Sequence, residues 1–146
     1  MRIIGGSLRG KNLASLSGHS IRPTADRLRE SIFNIIAVRV PNAVVLDLFA
    51  GTGAFGIEAL SRHASAAVFI DNSRAAVTVI YRNLEMCRLL DRARVILSDV
   101  SRGLDRIPMS QPRFDLVFMD PPYDRGFVQN SLNLLRRNPI LAPGHC

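Results

Sequence analysis

The chain has little of what builds a disulfide-stapled, metal-bound or membrane-embedded protein. Its 146 residues include two cysteines, Cys87 and Cys146, far too few for a disulfide framework. The three histidines, His19, His63 and His145, are scattered singly, so no Cys/His cluster has metal-ligand spacing and no metal is expected. No stretch approaches the roughly 20 apolar residues that span a bilayer. The opening Met1-Arg2-Ile3-Ile4-Gly5-Gly6 has no apolar run of signal-peptide length before Arg9. These absences point to a soluble protein of the reducing cytoplasm with no membrane partner. Internal repeats and low-complexity segments are also lacking, and 47% apolar content is enough for one folded core.

What the chain does have is positive charge, nineteen basic residues against twelve acidic, a net +7. Residues 1–43 hold seven of the basic residues against Asp26 and Glu30, whereas the remainder holds twelve against ten. A basic excess concentrated in one segment is the sign of a phosphate-binding surface.

Two regions follow from the pattern. In residues 1–43, Arg2-Ile3-Ile4 and Leu8-Arg9-Gly10-Lys11 suggest a short β-hairpin arm. A helix follows Arg22-Pro23: Thr24 can cap it, Asp26 lies in its first turn, and Leu28, Ile32, Ile35 and Ile36 form the stripe expected to pack on the main domain. Arg27 and Arg29 are expected to be solvated partners of Glu30 or Asp26. Residues 44–146 read as a core in which short apolar runs alternate with helical stretches. Strands are expected at 44–49, 66–70, 94–97 and 114–119, and helices at 54–62, 73–89 and 125–137, with a helical turn near 102–107. That alternation predicts an α/β fold, a parallel sheet with crossover helices on both faces.

In such a sheet ligands bind outside the carboxyl ends of the strands. The first strand ends Asp47-Leu48-Phe49-Ala50-Gly51-Thr52-Gly53-Ala54-Phe55-Gly56, where small residues let backbone approach a ligand before a helix starts. The second ends in Asp71, eighteen residues past Gly53, where a carboxylate can accept hydrogen bonds from two ribose hydroxyls. The third ends in Ser98-Asp99, whose carboxylate could take an adenine amine or equally cap the next segment. Together these describe a nucleoside-shaped slot, which a nicotinamide dinucleotide would also fit.

Asp120-Pro121-Pro122-Tyr123, directly after the fourth strand, points away from hydride transfer. An amine on an aromatic base is a poor nucleophile because its lone pair is delocalised into the ring. An acceptor at Asp120 and the carbonyl of Pro121 can hold its two hydrogens and favour a pyramidal nitrogen. The two prolines fix that carbonyl's direction, and Tyr123 offers a flat face for a base removed from its stack.

The glycine loop and Asp-Pro-Pro-Tyr resemble the two signature motifs of S-adenosylmethionine-dependent amino-methyltransferases. The opening Arg2-Ile3-Ile4-Gly5-Gly6 and the run from Arg22-Pro23-Thr24 to Asn34 resemble one branch, the RsmD family, which methylates the exocyclic amine of a guanine in bacterial 16S ribosomal RNA. The resemblance implies a class I methyltransferase (Rossmann-like) fold with S-adenosylmethionine as cofactor, seated by Asp47, Phe49, Gly51, Gly53, Asp71 and Asp99. It implies Asp120, Pro121, Pro122 and Tyr123 at the target base, and Thr24 and Arg27 beside the methionine end of the cofactor. Arg2, Arg9, Lys11 and Arg22 would then bind phosphates of 16S ribosomal RNA, free or in the small ribosomal subunit. Family members normally continue beyond Leu141-Ala142-Pro143-Gly144 into further strands. The expectation is therefore a C-terminally truncated form, with four strands where about seven are usual and the fourth as an exposed edge. The alternatives are an adenine amino-methyltransferase of DNA or RNA, a protein glutamine methyltransferase, and a truncated, non-catalytic RNA-binding remnant. A DNA enzyme would normally need a target-recognition region, for which this length leaves no room.

Overall fold

The structure, a computed structural model, describes residues 1–17, 23–108, 110–122 and 126–146. Arg22 and Tyr123 lie outside the described residues, as does the side chain of Thr24. The four expected strands are β1 (Val44–Leu48), β2 (Ala66–Asp71), β3 (Ala93–Leu97) and β4 (Leu116–Met119). They form one parallel sheet in the order β3-β2-β1-β4. Side chains alternate across it. Val45, Ala67 and Phe69 join a core cluster on one face, while Leu46, Leu48, Val68 and Ile70 join a second cluster on the other. Burial on both faces is why the strands read as continuous apolar runs.

The crossovers are α2 (Ala54–Ser61), α3 (Arg74–Cys87), α4 (Val100–Asp105) and, after β4, α5 (Phe127–Arg137). Ile57 and Leu60 of α2 and Ile80 and Leu84 of α3 fill the first cluster; Leu104 of α4 and Leu135 of α5 fill the second. Helices thus cover both faces, as the alternation predicted. Ser73 caps α3 by accepting from the Ala76 N–H at 3.2 Å.

The N-terminal arm forms as a narrow antiparallel pair. Arg2 faces Asn12, Ile3 N–H donates to the Lys11 carbonyl at 2.9 Å, and Gly10 N–H donates to the Ile3 carbonyl at 2.8 Å. Ile3 and Leu13 are buried in the same cluster as Phe33 and Val45.

The first helix departs from expectation. It is α1 (Pro23–Ile35), so Thr24 lies within the first turn rather than ahead of it. Its packing face is also rotated: Leu28 and Ile35 are 60% and 81% exposed, while Arg29 is 3% exposed and Phe33 fully buried. Arg29 therefore pairs with Asp26 as foreseen, at 3.1 Å, but in the interior rather than in solvent. The cause is a non-local partner, the carboxylate of Glu58 on α2, toward which the guanidinium turns. Phe33 follows the same face and packs on Phe118 and Phe55, with ring centroids 5.3 and 6.4 Å away.

β4 is an outer strand, as is β3, but its edge is partly occupied. Phe114 N–H donates to the Ile140 carbonyl, Ala142 N–H to the Phe114 carbonyl, and Val117 N–H to the Cys146 carbonyl, at 2.7, 2.8 and 2.8 Å. Residues 140–146 thus take up backbone groups that a bare edge would expose.

Candidate active site

The sheet register brings the strand ends to one rim. Leu48 lies beside both Ile70 and Met119, and Asp71 beside Leu97. The chain runs from β1 outward to β2 and β3, then returns to β4 on the other side of β1. The strand order therefore reverses between β1 and β4, where an open α/β sheet leaves a crevice for ligand. The Phe49 loop and Asp120-Pro121-Pro122 both emerge at that point.

The loop's shape comes from a few hydrogen bonds and close approaches. Asp47 is buried at the end of β1, and its Oδ2 accepts from the Gly56 N–H at 2.9 Å, tying strand to helix. Gly53 has φ +78 as it turns the chain into α2, a conformation L side chains rarely adopt. A Cβ on Gly56 would lie 2.3 Å from the Phe69 ring, so only glycine lets α2 sit this close to β2. Phe49 itself has φ +56, an uncommon state for a bulky residue. Its ring meets Phe127 edge-on with centroids 5.7 Å apart.

Phe49, Asp71, Asp99, Pro122 and Phe127 line one cleft of about 240 Å³. Asp71 holds the loop, since its Oδ2 accepts from Gly51 N–H at 2.8 Å and its Oδ1 from Ser73 N–H at 2.9 Å. Each oxygen keeps a second lone pair. Asp99 does what the capping alternative foresaw: its Oδ1 accepts from the Arg102 N–H at 3.1 Å as the N-cap of α4. Its carboxyl is held below the usual range by the Ser101 hydroxyl first and the Arg102 N–H second. It caps the helix and lines the cleft at once.

Pro121 is buried, anchoring the corner after β4, whereas Asp120 is exposed and among the described residues accepts no hydrogen bond. A carboxylate with no hydrogen-bond partner among the described residues, on a corner anchored by the buried Pro121, can accept from an external donor.

Burial pushes the Asp47 carboxyl up to about 8; the Gly56 N–H opposes this, and the Asp71 and Asp120 carboxylates add to it. Between its unfolded value of 3.8 and that folded value, the native state holds a proton that the unfolded chain has lost. The contribution of Asp47 to stability therefore falls as pH rises through this window, by about 1.4 kcal/mol per pH unit. In urea unfolding at pH 5, 6 and 7, the parent is expected to lose stability relative to Asp47→Asn at each step. A constant difference between the two proteins would contradict the buried proton.

The basic residues of the arm do not all stand free. The Lys11 ammonium donates to the Met86 carbonyl at the end of α3. Arg2 and Arg9 line a cleft of about 390 Å³ between the arm and α1, and Arg27 lies in that same cleft. Arg27 is not among the residues lining the cleft of Phe49 and Asp71.

Three buried polar residues that organise these parts were not singled out from the sequence. Glu58, 1% exposed, accepts from Ile4 N–H at 2.9 Å and Gly5 N–H at 2.7 Å and pairs with Arg62 at 2.9 Å. Ser61 Oγ donates to the Gly5 carbonyl at 2.6 Å and accepts from Leu8 N–H at 3.0 Å. Asn83 of α3 accepts from Ala14 N–H at 2.7 Å and donates to the carbonyls of Ala14 and of Thr52, so one amide joins the arm to the glycine loop. A signal existed for the first two: Glu58 and Ser61 are the only polar side chains in the otherwise apolar α2, three residues apart.

A parallel sheet reversing at a glycine loop, with a nucleoside-sized slot and an Asp-Pro-Pro corner beside it, defines a class I methyltransferase. A SAM-dependent methyltransferase from Agrobacterium tumefaciens, only 22% identical, shares the fold with a TM-score of 0.68 over 86% of this chain and 43% of its own. The family described as Conserved hypothetical protein 95 matches residues 1–146, and the chain belongs to it, the RsmD family of the sequence resemblance. Ribosomal RNA small subunit methyltransferase D of Escherichia coli strain K12 is 39% identical over 142 residues, 97% of this chain and 70% of that relative. The protein of the same name from Haemophilus influenzae is 34% identical over 98% of this chain and 74% of its own length. The solved "Putative methyltransferase yhhF" from Escherichia coli is 41% identical, with a TM-score of 0.85 over 97% of this chain and 75% of its own.

Proposed function

We propose that the protein transfers a methyl group from S-adenosylmethionine to the exocyclic amine of a guanine in 16S ribosomal RNA. The observation that carries this reading is the emergence of Asp120-Pro121-Pro122 beside the Phe49 loop, at the reversal of strand order, with Pro122 in the wall of the Asp71 cleft. The names of the relatives from Escherichia coli and Haemophilus influenzae support the ribosomal substrate.

The residues present fit the cofactor. The spare lone pairs of Asp71 suit two ribose hydroxyls, Asp99 suits the adenine amine, and Phe49 and Phe127 give the cleft an aromatic wall for a flat base. When bound, S-adenosylmethionine supplies a methyl group on a sulfonium, an electrophile that needs positioning rather than activation. Asp120 and the Pro121 carbonyl each accept a hydrogen of the target amine and turn its lone pair out of the ring plane. Asp120 then takes the proton that the nitrogen sheds. Guanine is favoured over adenine because a carboxylate's two acceptors match guanine's adjacent amine and ring N–H donors.

The test is incubation with labelled S-adenosylmethionine and small ribosomal subunits lacking the modification, followed by mass spectrometry of the digested RNA. Label in N2-methylguanosine is expected. Label in N6-methyladenosine would favour the adenine alternative, and cofactor binding without transfer would favour the non-catalytic one. Asp71→Ala is expected to weaken cofactor binding at least tenfold in calorimetry, because it removes charged hydrogen bonds and releases the Gly51 N–H together. Affinity equal to the parent would take Asp71 out of the site.

A further inference from the structure

The cleft between the arm and α1 is lined by three arginines, Arg2, Arg9 and Arg27, together with Asp26 and Glu30. Asp26 is committed to Arg29. Among the described residues none of the three cleft arginines takes part in an ion pair, although both carboxylates share the cleft with them. Among the described residues the cleft thus holds three arginines without an ion pair against one such carboxylate, Glu30, and is positive.

Its walls are also pinned to each other from inside. The buried Arg29 reaches from α1 to the Arg2 carbonyl at 2.5 Å, while Glu58 holds the N–H groups of Ile4 and Gly5 on the far side of the same strand of the arm. The cleft therefore exists before any ligand arrives, so the cost of ordering it is already met in folding. Arginine forks match the oxygens of a phosphate, whereas a lysine offers only a point charge; the chain's single lysine, Lys11, points instead to a carbonyl on α3.

We propose that this cleft seats successive phosphodiester groups of the RNA strand, with Arg27 binding there beside Arg2 and Arg9. This reassigns Arg27 from the methionine end of the cofactor to the nucleic acid, and it rests on the ribosomal RNA reading above.

Removing one phosphate-neutralising side chain reduces the slope of log affinity against log salt by about 0.7 to 0.9. Binding of a labelled 16S ribosomal RNA transcript is therefore measured across a salt series for the parent, Arg27→Gln and Arg113→Gln. Arg113 is an exposed residue on the loop before β4, outside the cleft. The slope is expected to fall by that single-charge amount for Arg27→Gln and to stay at the parent value for Arg113→Gln, with S-adenosylmethionine affinity of Arg27→Gln within twofold of the parent. The combined Arg2→Gln, Arg9→Gln, Arg27→Gln protein is expected to show a fall about three times as large. An unchanged slope in Arg27→Gln, an equal fall in Arg113→Gln, or a tenfold loss of cofactor affinity in Arg27→Gln would each overturn the proposal. These readouts are of binding alone. Absence of methyl transfer by the parent would therefore count against the enzymatic reading while the slopes still decide the cleft.

Discussion

Asp120→Ala is expected to lower the rate of methyl transfer by about a hundredfold or more while changing cofactor affinity less than threefold. The asymmetry follows from where the residue sits. Its side chain is exposed and makes no hydrogen bond to the described protein, so its removal leaves packing intact and costs at most about 0.5 kcal/mol of stability. It does not line the Phe49 and Asp71 cleft either. What the variant would lack is one of the two acceptors that orient the amine, and misplacing a reacting group by about 1 Å can cost about a hundredfold. Because that orientation matters in the transition state, the effect falls on single-turnover rate rather than on substrate affinity. Asp120→Asn keeps one acceptor and is expected to fall between the two. A single-turnover rate within threefold of the parent for Asp120→Ala would remove the residue from the mechanism.

Glu58→Ala is expected to destabilise the protein by about 3 to 5 kcal/mol, the usual consequence of stripping one partner from a buried charge cluster. Here the consequence is wider than one pair. Arg62 loses its carboxylate, Arg29 is left with Asp26 alone, and the Ile4 and Gly5 N–H groups lose their acceptor. The arm then loses its anchor to α2, so limited proteolysis should cut within residues 1–17 well before global unfolding. Glu58→Gln keeps an acceptor oxygen in reach of the two backbone N–H groups and is expected to cost about half as much. Urea unfolding free energies check both values; a cost below about 1 kcal/mol for the alanine variant would mean that the cluster does not hold the arm.

The contrast between these two carboxylates explains what could be read from the chain without its structure. Asp120 belongs to a local motif: its neighbours Pro121 and Pro122 are adjacent, and the strand before it is a recognisable apolar run, so its position at a strand end follows from sequence alone. The same holds for Gly53 and Asp71, and the parallel sheet itself emerged from runs whose edges shifted by only a residue or two in most cases. Glu58 depends on residues 29 and 62 and on an arm more than fifty positions away. A helix pattern cannot say that a guanidinium will go inside, because that depends on a carboxylate waiting there. Arg29 consequently turned α1 away from the face that Leu28 and Ile35 suggested. Asn83 was hidden for a related reason, since one amide in an amphipathic helix looks like a solvated residue until the arm is folded against it.

The third glycine of the loop, at position 56, matters for thickness rather than for flexibility. The Phe69 ring occupies the space where any other residue would carry its first side-chain carbon. Alanine there would have to lift the start of α2 off the sheet, and the Gly56 N–H would withdraw from Asp47 with it. The spacing between two layers of the molecule is thus written as a missing methyl group, and widening it would slacken the whole turn without altering any atom that meets a ligand.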